Sequence, residues 1–212
     1  MPRITAKICG LSTADSVGAA VRHGASHVGF VFFPKSPRHV NTERMQALAA
    51  FVPGHVSKVA VLVDPDDALL ASVAPLVDIL QLHGSETPER VAAAARATGR
   101  EVWKAVSVRT RADLATAPAW RGAAQRILYD AKPPAGADLP GGLGLRFDWT
   151  LLSGFDHPLP WALSGGIDID NVARAVSTTG ARLVDISSGV ETAPGVKDVD
   201  KIAAFLKAVA IL

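Results

Sequence analysis

Strand-like and helix-like segments alternate along this chain from one end to the other, and that alternation limits its possible folds more than any single residue does. Arg3 to Cys9 reads as a strand, Thr13 to His23 as a helix closed by Gly24, and His27 to Phe33 as a β-branched and aromatic strand. The pattern repeats through strands at Lys58–Val63, Asp78–His83, Glu101–Val108, Arg126–Asp130, Pro160–Ser164 and Arg182–Ser187. Helical stretches between and after them run over Thr42–Phe51, from Pro65 towards Val73, from Thr87 to Gly99, and over Thr110–Ala117, Asp170–Ser177 and Val199–Val209. Phe147 to Ser153 reads as a helical turn. About eight β–α units at a spacing of ~20–35 residues fit a single (β/α)8 TIM barrel. An open doubly wound sheet with a similar strand count is the alternative, and periodicity does not separate the two.

The 212 residues suit one domain, residues 1–212, with no composition break or linker. The formal net charge of +2 is too small to mark a nucleic-acid or membrane partner. No apolar stretch has the length of a transmembrane helix, and no terminal segment reads as a signal peptide. The single cysteine excludes an intrachain disulfide framework. These features lead to the expectation of a cytoplasmic protein, monomer or homodimer.

In a parallel barrel the carboxyl ends of all strands share one mouth. Here those ends carry Cys9, the loop from Phe32 to Arg38, Asp64, His83, Asp130, Ser164-Gly165-Gly166 and Ser187-Ser188-Gly189. A thiol, an imidazole, a carboxylate and a guanidinium are thus expected around one opening. The two glycine-rich turns follow the seventh and eighth strands, where barrel enzymes hold phosphate on backbone amides. Gly141-Gly142-Leu143-Gly144 does not match the dinucleotide fingerprint, which excludes a Rossmann reading. It closes the long irregular loop from Pro133, which reads as a lid. No His and Asp cluster of metal-ligand spacing is evident, so no metal is expected.

Several runs together resemble the phosphoribosylanthranilate isomerase family. They are Lys7-Ile8-Cys9-Gly10-Leu11, Gly29-Phe30-Val31-Phe32, Ser36-Pro37-Arg38, Gln81-Leu82-His83-Gly84 and Gly141-Gly142-Leu143-Gly144 with Phe147-Asp148-Trp149. Ser164-Gly165-Gly166 and Val184-Asp185-Ile186-Ser187-Ser188-Gly189-Val190-Glu191 with Gly195-Val196-Lys197-Asp198 complete them, in the family's order and over nearly the whole chain. The resemblance implies a one-domain barrel of tryptophan biosynthesis. It implies an Amadori rearrangement of N-(5-phosphoribosyl)anthranilate to 1-(o-carboxyphenylamino)-1-deoxyribulose 5-phosphate, with no cofactor. Leu143 departs from the family, which usually has Thr there.

The resemblance puts the general base at Cys9 and the general acid at Asp130, and both lie at strand ends. A basic cysteine needs its thiolate stabilised, and Lys7, two residues earlier in the same strand, faces the same side. Asp185 either pairs with Lys7, if the last strand closes on the first, or faces a loop. Arg38 presents a fork suited to the substrate carboxylate, while Lys35 beside it reads as a solvated charge. His83 is a binding candidate. Gly165, Gly166, Ser187, Ser188 and Gly189 are the expected phosphate cradle. Glu191 and Asp198 read as capping or surface charges, and Trp149 as an anchor for the lid. Another phosphosugar barrel enzyme, a non-catalytic anion-binding barrel and a cysteine hydrolase are the rival readings.

Overall fold

A computed structural model describes residues 3–212. Eight parallel strands close into a barrel in sequence order: β1 Thr5–Cys9, β2 His27–Phe32, β3 Ser57–Leu62, β4 Ile79–Leu82, β5 Glu101–Val108, β6 Arg126–Ala131, β7 Trp161–Leu163 and β8 Leu183–Ile186. Closure is direct. β1 pairs with β8 in a register that sets Thr5 beside Leu183, Lys7 beside Asp185 and Ile8 beside Ile186. That pairing excludes the open sheet.

Helices α1 Ala14–Arg22, α2 Thr42–Ala49, α3 Asp67–Val73, α4 Pro88–Thr98, α5 Arg111–Leu114, α6 Val172–Thr179 and α7 Val199–Ala210 surround the strands. A 3-10 turn at Trp149–Leu152 takes the helix position between β6 and β7. Local chemistry sets the ends. Thr87 accepts from the Arg90 amide to open α4, Pro88 fills its first turn, and Gly99 closes it in the left-handed region. Asp198 caps α7 by accepting from the amides of Asp200 and Lys201, as its position suggested.

Period two divides each strand between two cores. Ile8, Phe30, Leu62, Leu80, Val102, Ile127 and Val184 face outward into the layer shared with the helices. Val59, Ile79, Trp103, Ala105, Leu128, Ala162 and Leu183 fill the barrel interior. This interior plug supports the side chains above it on the same strand faces. Trp149 is buried in the outer core, the anchoring role expected of it. An antiparallel hairpin after β8, β9 Glu191–Ala193 with β10 Val196–Lys197, was not expected from the sequence.

Candidate active site

β1 carries Lys7 and Cys9 on its inward face, beside Gly29 of β2. A Cβ at Gly29 would stand 3.0 Å from Cys9 Sγ and 3.1 Å from Lys7 Cε, so glycine leaves the room that both side chains occupy. Lys7 is fully buried and donates to Asp185 Oδ1 at 3.0 Å, which is the pairing that strand closure allows. Burial opposes the lysine's charge, but the Asp185 carboxylate and the Cys9 sulfur outweigh it and raise its pKa. A cation is therefore held beneath Cys9.

Cys9 itself packs with Val31 and Val61, and Phe33 leans on them. Burial pushes its thiol up, Lys7 pulls it down, Asp185 pushes it up, and the net direction is up. The attraction of Lys7 for the thiolate is present as expected. The desolvation that comes with burial exceeds it.

Asp130 stands at the end of β6. Its Oδ1 accepts from the Ala131 amide at 2.9 Å, and its Oδ2 lies 3.2 Å from His83 Nε2. The two atoms touch without the alignment of a hydrogen bond. The lid closes on this pair: a Cβ at Gly141 would come within 2.6 Å of Asp130 Oδ2 and 2.9 Å of His83 Cε1. Gln81 shares the inward face of β4 with His83, is buried, and places its amide nitrogen 3.4 Å from His83 Nδ1. Its Oε1 has no partner and it lines the cavity, yet sequence reasoning passed over it. The signal was available, since Ile79, Gln81 and His83 alternate onto one strand face.

Arg38 is buried, with Nε and Nη2 each donating to Glu191 at 2.8 Å and Nη2 also to the Gly142 carbonyl at 3.1 Å. Lys197 binds the same carboxylate at 2.6 Å. The reading of Glu191 as a capping or surface charge is thereby corrected. It is the buried centre of an ion-pair cluster, and Arg38 and Lys197 hold its carboxyl below the usual range against the opposing effect of burial. The hairpin after β8 delivers it, and a local reading of sequence has no means of showing that. Arg38 remains on the cavity wall, and its stem fills the space left by Gly10, where a Cβ would stand 2.5 Å from Arg38 Cδ. Lys35 is exposed, as expected.

Gly165 and Gly166 both adopt positive φ, +84° and +66°. A Cβ at Gly165 would meet the Ala131 amide nitrogen at 2.7 Å, and one at Gly166 the Leu145 carbonyl at 2.8 Å. Helix α6 starts only at Val172; Asn171 bridges the interval by donating to the Gly166 carbonyl at 2.9 Å. The Ser187 hydroxyl donates to the Cys9 carbonyl at 3.1 Å and lies 3.2 Å from Lys197 Nζ. Gly189 stands outside the cavity lining, where its missing side chain makes room for the Ile167 carbonyl.

Cys9, Arg38, Gln81, His83, Asp130, Gly165, Gly166, Asp185, Ser187 and Ser188 line one cavity beneath the lid residues 139–145. Lys7 lies below its floor. The cavity sets a thiol in an apolar wall and a carboxyl beside an imidazole, with two small-residue turns at its rim. That arrangement suits proton transfers on a small phosphorylated molecule. Among the described residues no group of three or more His, Cys, Asp or Glu side chains is placed to hold a metal ion. None of their helices is long and apolar enough to cross a membrane.

Comparison with known proteins gives the same picture. The family model described as N-(5'phosphoribosyl)anthranilate (PRA) isomerase matches residues 6–208. The N-(5'-phosphoribosyl)anthranilate isomerase of Zymomonas mobilis subsp. mobilis is 54% identical over 211 residues, covering 99% of each chain. The crystal structure of phosphoribosyl anthranilate isomerase from Thermotoga maritima matches with a TM-score of 0.88 at 34% identity, covering 100% of both chains. Another solved phosphoribosyl anthranilate isomerase, in complex with reduced 1-(o-carboxyphenylamino)-1-deoxyribulose 5-phosphate, gives a TM-score of 0.85 at 33% identity with the same coverage.

Proposed function

Because the chain belongs to the N-(5'-phosphoribosyl)anthranilate isomerase family, and is with that family an aldose–ketose isomerase, we propose that Asp130 and Cys9 divide its chemistry as acid and base. The substrate is N-(5-phosphoribosyl)anthranilate and the product 1-(o-carboxyphenylamino)-1-deoxyribulose 5-phosphate. The observation that carries this reading is the joint placement of Cys9 on β1 and Asp130 on β6 in one lid-covered cavity. Those strands lie well apart around the barrel, so the two groups address a bound ligand from different sides.

Asp130 protonates the ring oxygen, and the furanose opens to a cationic Schiff base. Cys9 then removes the proton on C2, giving an enolamine that tautomerises to the ketone. Lys7 favours the thiolate from below, and the Schiff-base cation favours it from above. Together they oppose the burial that pushes the resting thiol's pKa up. Arg38 binds the anthranilate carboxylate. With its Nε–Nη2 edge on Glu191, it offers Nη1, which faces the lid at Gly142. His83 contacts the substrate beside Asp130. The phosphate lies on the turns of Gly165, Gly166, Ser187 and Ser188, while Gly189 lets those turns pack together.

The decisive measurement is the disappearance of the fluorescence of freshly prepared phosphoribosylanthranilate. Catalytic amounts of the protein are expected to convert it to completion without added metal or cofactor. Folded protein that leaves the signal to decay at the uncatalysed rate would refute the substrate assignment.

A further inference from the structure

Behind His83, on the far side of the barrel wall from the cavity, Lys104 and Glu86 form an ion pair at 2.7 Å. Both side chains are almost wholly buried, 4% and 1% exposed. Taking two charges out of water costs several kcal/mol per ion, so an isolated buried pair is a poor way to stabilise a fold. This pair spends its hydrogen bonds on particular backbone atoms. Lys104 Nζ donates to the Gly84 carbonyl at 2.8 Å and lies 3.4 Å from the Leu82 carbonyl, the two residues that flank His83. Glu86 Oε1 accepts from the amides of Gly84 at 3.0 Å and Asp64 at 2.9 Å.

The clamp joins the ends of β3 and β4 to the middle of β5. Asp64 follows β3 and is the single non-glycine residue with positive φ, +45°, among the described residues. Its Oδ1 accepts from the Ser85 amide at 2.7 Å. A Cβ at Gly84 would stand 2.5 Å from the Asp64 carboxyl carbon, so the two loops interlock at a position that admits only glycine. His83 leaves this fixed segment towards the cavity and brings Nε2 against Asp130 Oδ2.

We propose that Glu86 and Lys104 are positioning residues that aim the His83 imidazole at Asp130 from behind the barrel wall. Neither touches the cavity; their effect passes through the backbone on either side of His83. The catalytic consequence rests on the reading of Asp130 as the acid, whereas the aiming of the ring does not.

The test joins a kinetic cycle to a spectrum of the free enzyme. Glu86→Gln and Lys104→Met are each expected to lower kcat on the order of ten-fold or more, with a smaller change in KM. Placed in a His83→Ala background, the same substitutions are expected to cost little further, because no ring is left to aim. Equal fold-losses with and without His83 would overturn the proposal, leaving the pair as a support of the barrel alone. In substrate-free protein, Glu86→Gln is expected to shift the ring ¹⁵N resonances of His83. Unchanged resonances would overturn it as well, whatever the kinetics. Shifted resonances with unchanged kcat would uphold the aiming of the ring and overturn its consequence for catalysis. Should Lys104→Met fail to fold, Glu86→Gln carries both measurements.

Discussion

At the amino-terminal end of the barrel the polar side chains turn onto an aromatic ring; at the carboxyl-terminal end they turn into a cavity. Trp103 is wholly buried at the lower end and donates to Glu101 at 2.6 Å. The Arg126 guanidinium lies 5.0 Å from its ring centroid, and the His27 ring 5.1 Å away. None of these four residues lines the cavity. The upper end instead buries its charges, in Lys7, Asp185, Arg38, Glu191 and Asp130. There the glycines of the lid and turns leave space beside the charges. The same scaffold thus closes one end with a large flat side chain and keeps the other open with residues that lack one. Substitutions at the base should register as lost stability, and substitutions at the mouth as lost turnover.

The largest expected effect belongs to the mouth. Cys9→Ala and Asp130→Asn should each reduce kcat by ~100–10,000-fold, the usual contribution of a placed acid or base. Their urea midpoints should stay at the parent value. A variant that keeps near-parent kcat loses its assigned role, and one that also unfolds early breaks the contrast between the ends.

Next is the plug. Trp103→Ala removes the ring on which Arg126 and His27 rest, and should cost about 3–5 kcal/mol of folding free energy in denaturant titrations. The kcat per folded molecule should remain close to the parent's. A collapse of kcat in protein shown to be folded would mean that the two ends are coupled through the interior.

The smallest effect sharpens the comparison by pH. Burial, with Lys7 and Arg126 nearby, lowers the His27 pKa from 6.5 to about 4. An unfolded histidine titrates near ~6.5, so between about 6.5 and about 4 the unfolded chain takes up a proton that the folded one refuses. Stability contributed by neutral His27 is present in full above that window and is lost as pH falls through it, by at most about 3 kcal/mol. Urea melts at several pH values should show this slope in the parent and a shallower one in His27→Gln. Equal slopes would assign the acid sensitivity to other groups.

Much of the site was legible because strand parity is local. Lys7 with Cys9, and Ile79 with Gln81 and His83, share faces by alternation alone, and glycines after β7 and β8 mark turns wherever they occur. Glu191 was misread for the opposite reason. Its partner Arg38 lies 153 residues away, and the hairpin that joins them has only five strand residues. Lys104 stands among the apolar residues of β5, and nothing beside it in sequence marks Glu86, 18 residues back, as its partner. Both cases involve buried charge whose partners the fold brings in; even Lys197, six residues from Glu191, reaches it across the hairpin.

The sequence by itself determined the β–α alternation, the helix caps and the inward face of each strand, since these depend on residues within a few positions of one another. The tertiary structure decided the closure of β1 on β8, which turned an array of strand ends into one cavity. It also decided the balance at Cys9, where Lys7 two residues away favours the thiolate and burial by the surrounding fold favours the thiol. The attraction is a single neighbouring pair and is readable locally. Desolvation sums over every group that displaces water from the sulfur, and those groups meet only when the barrel closes.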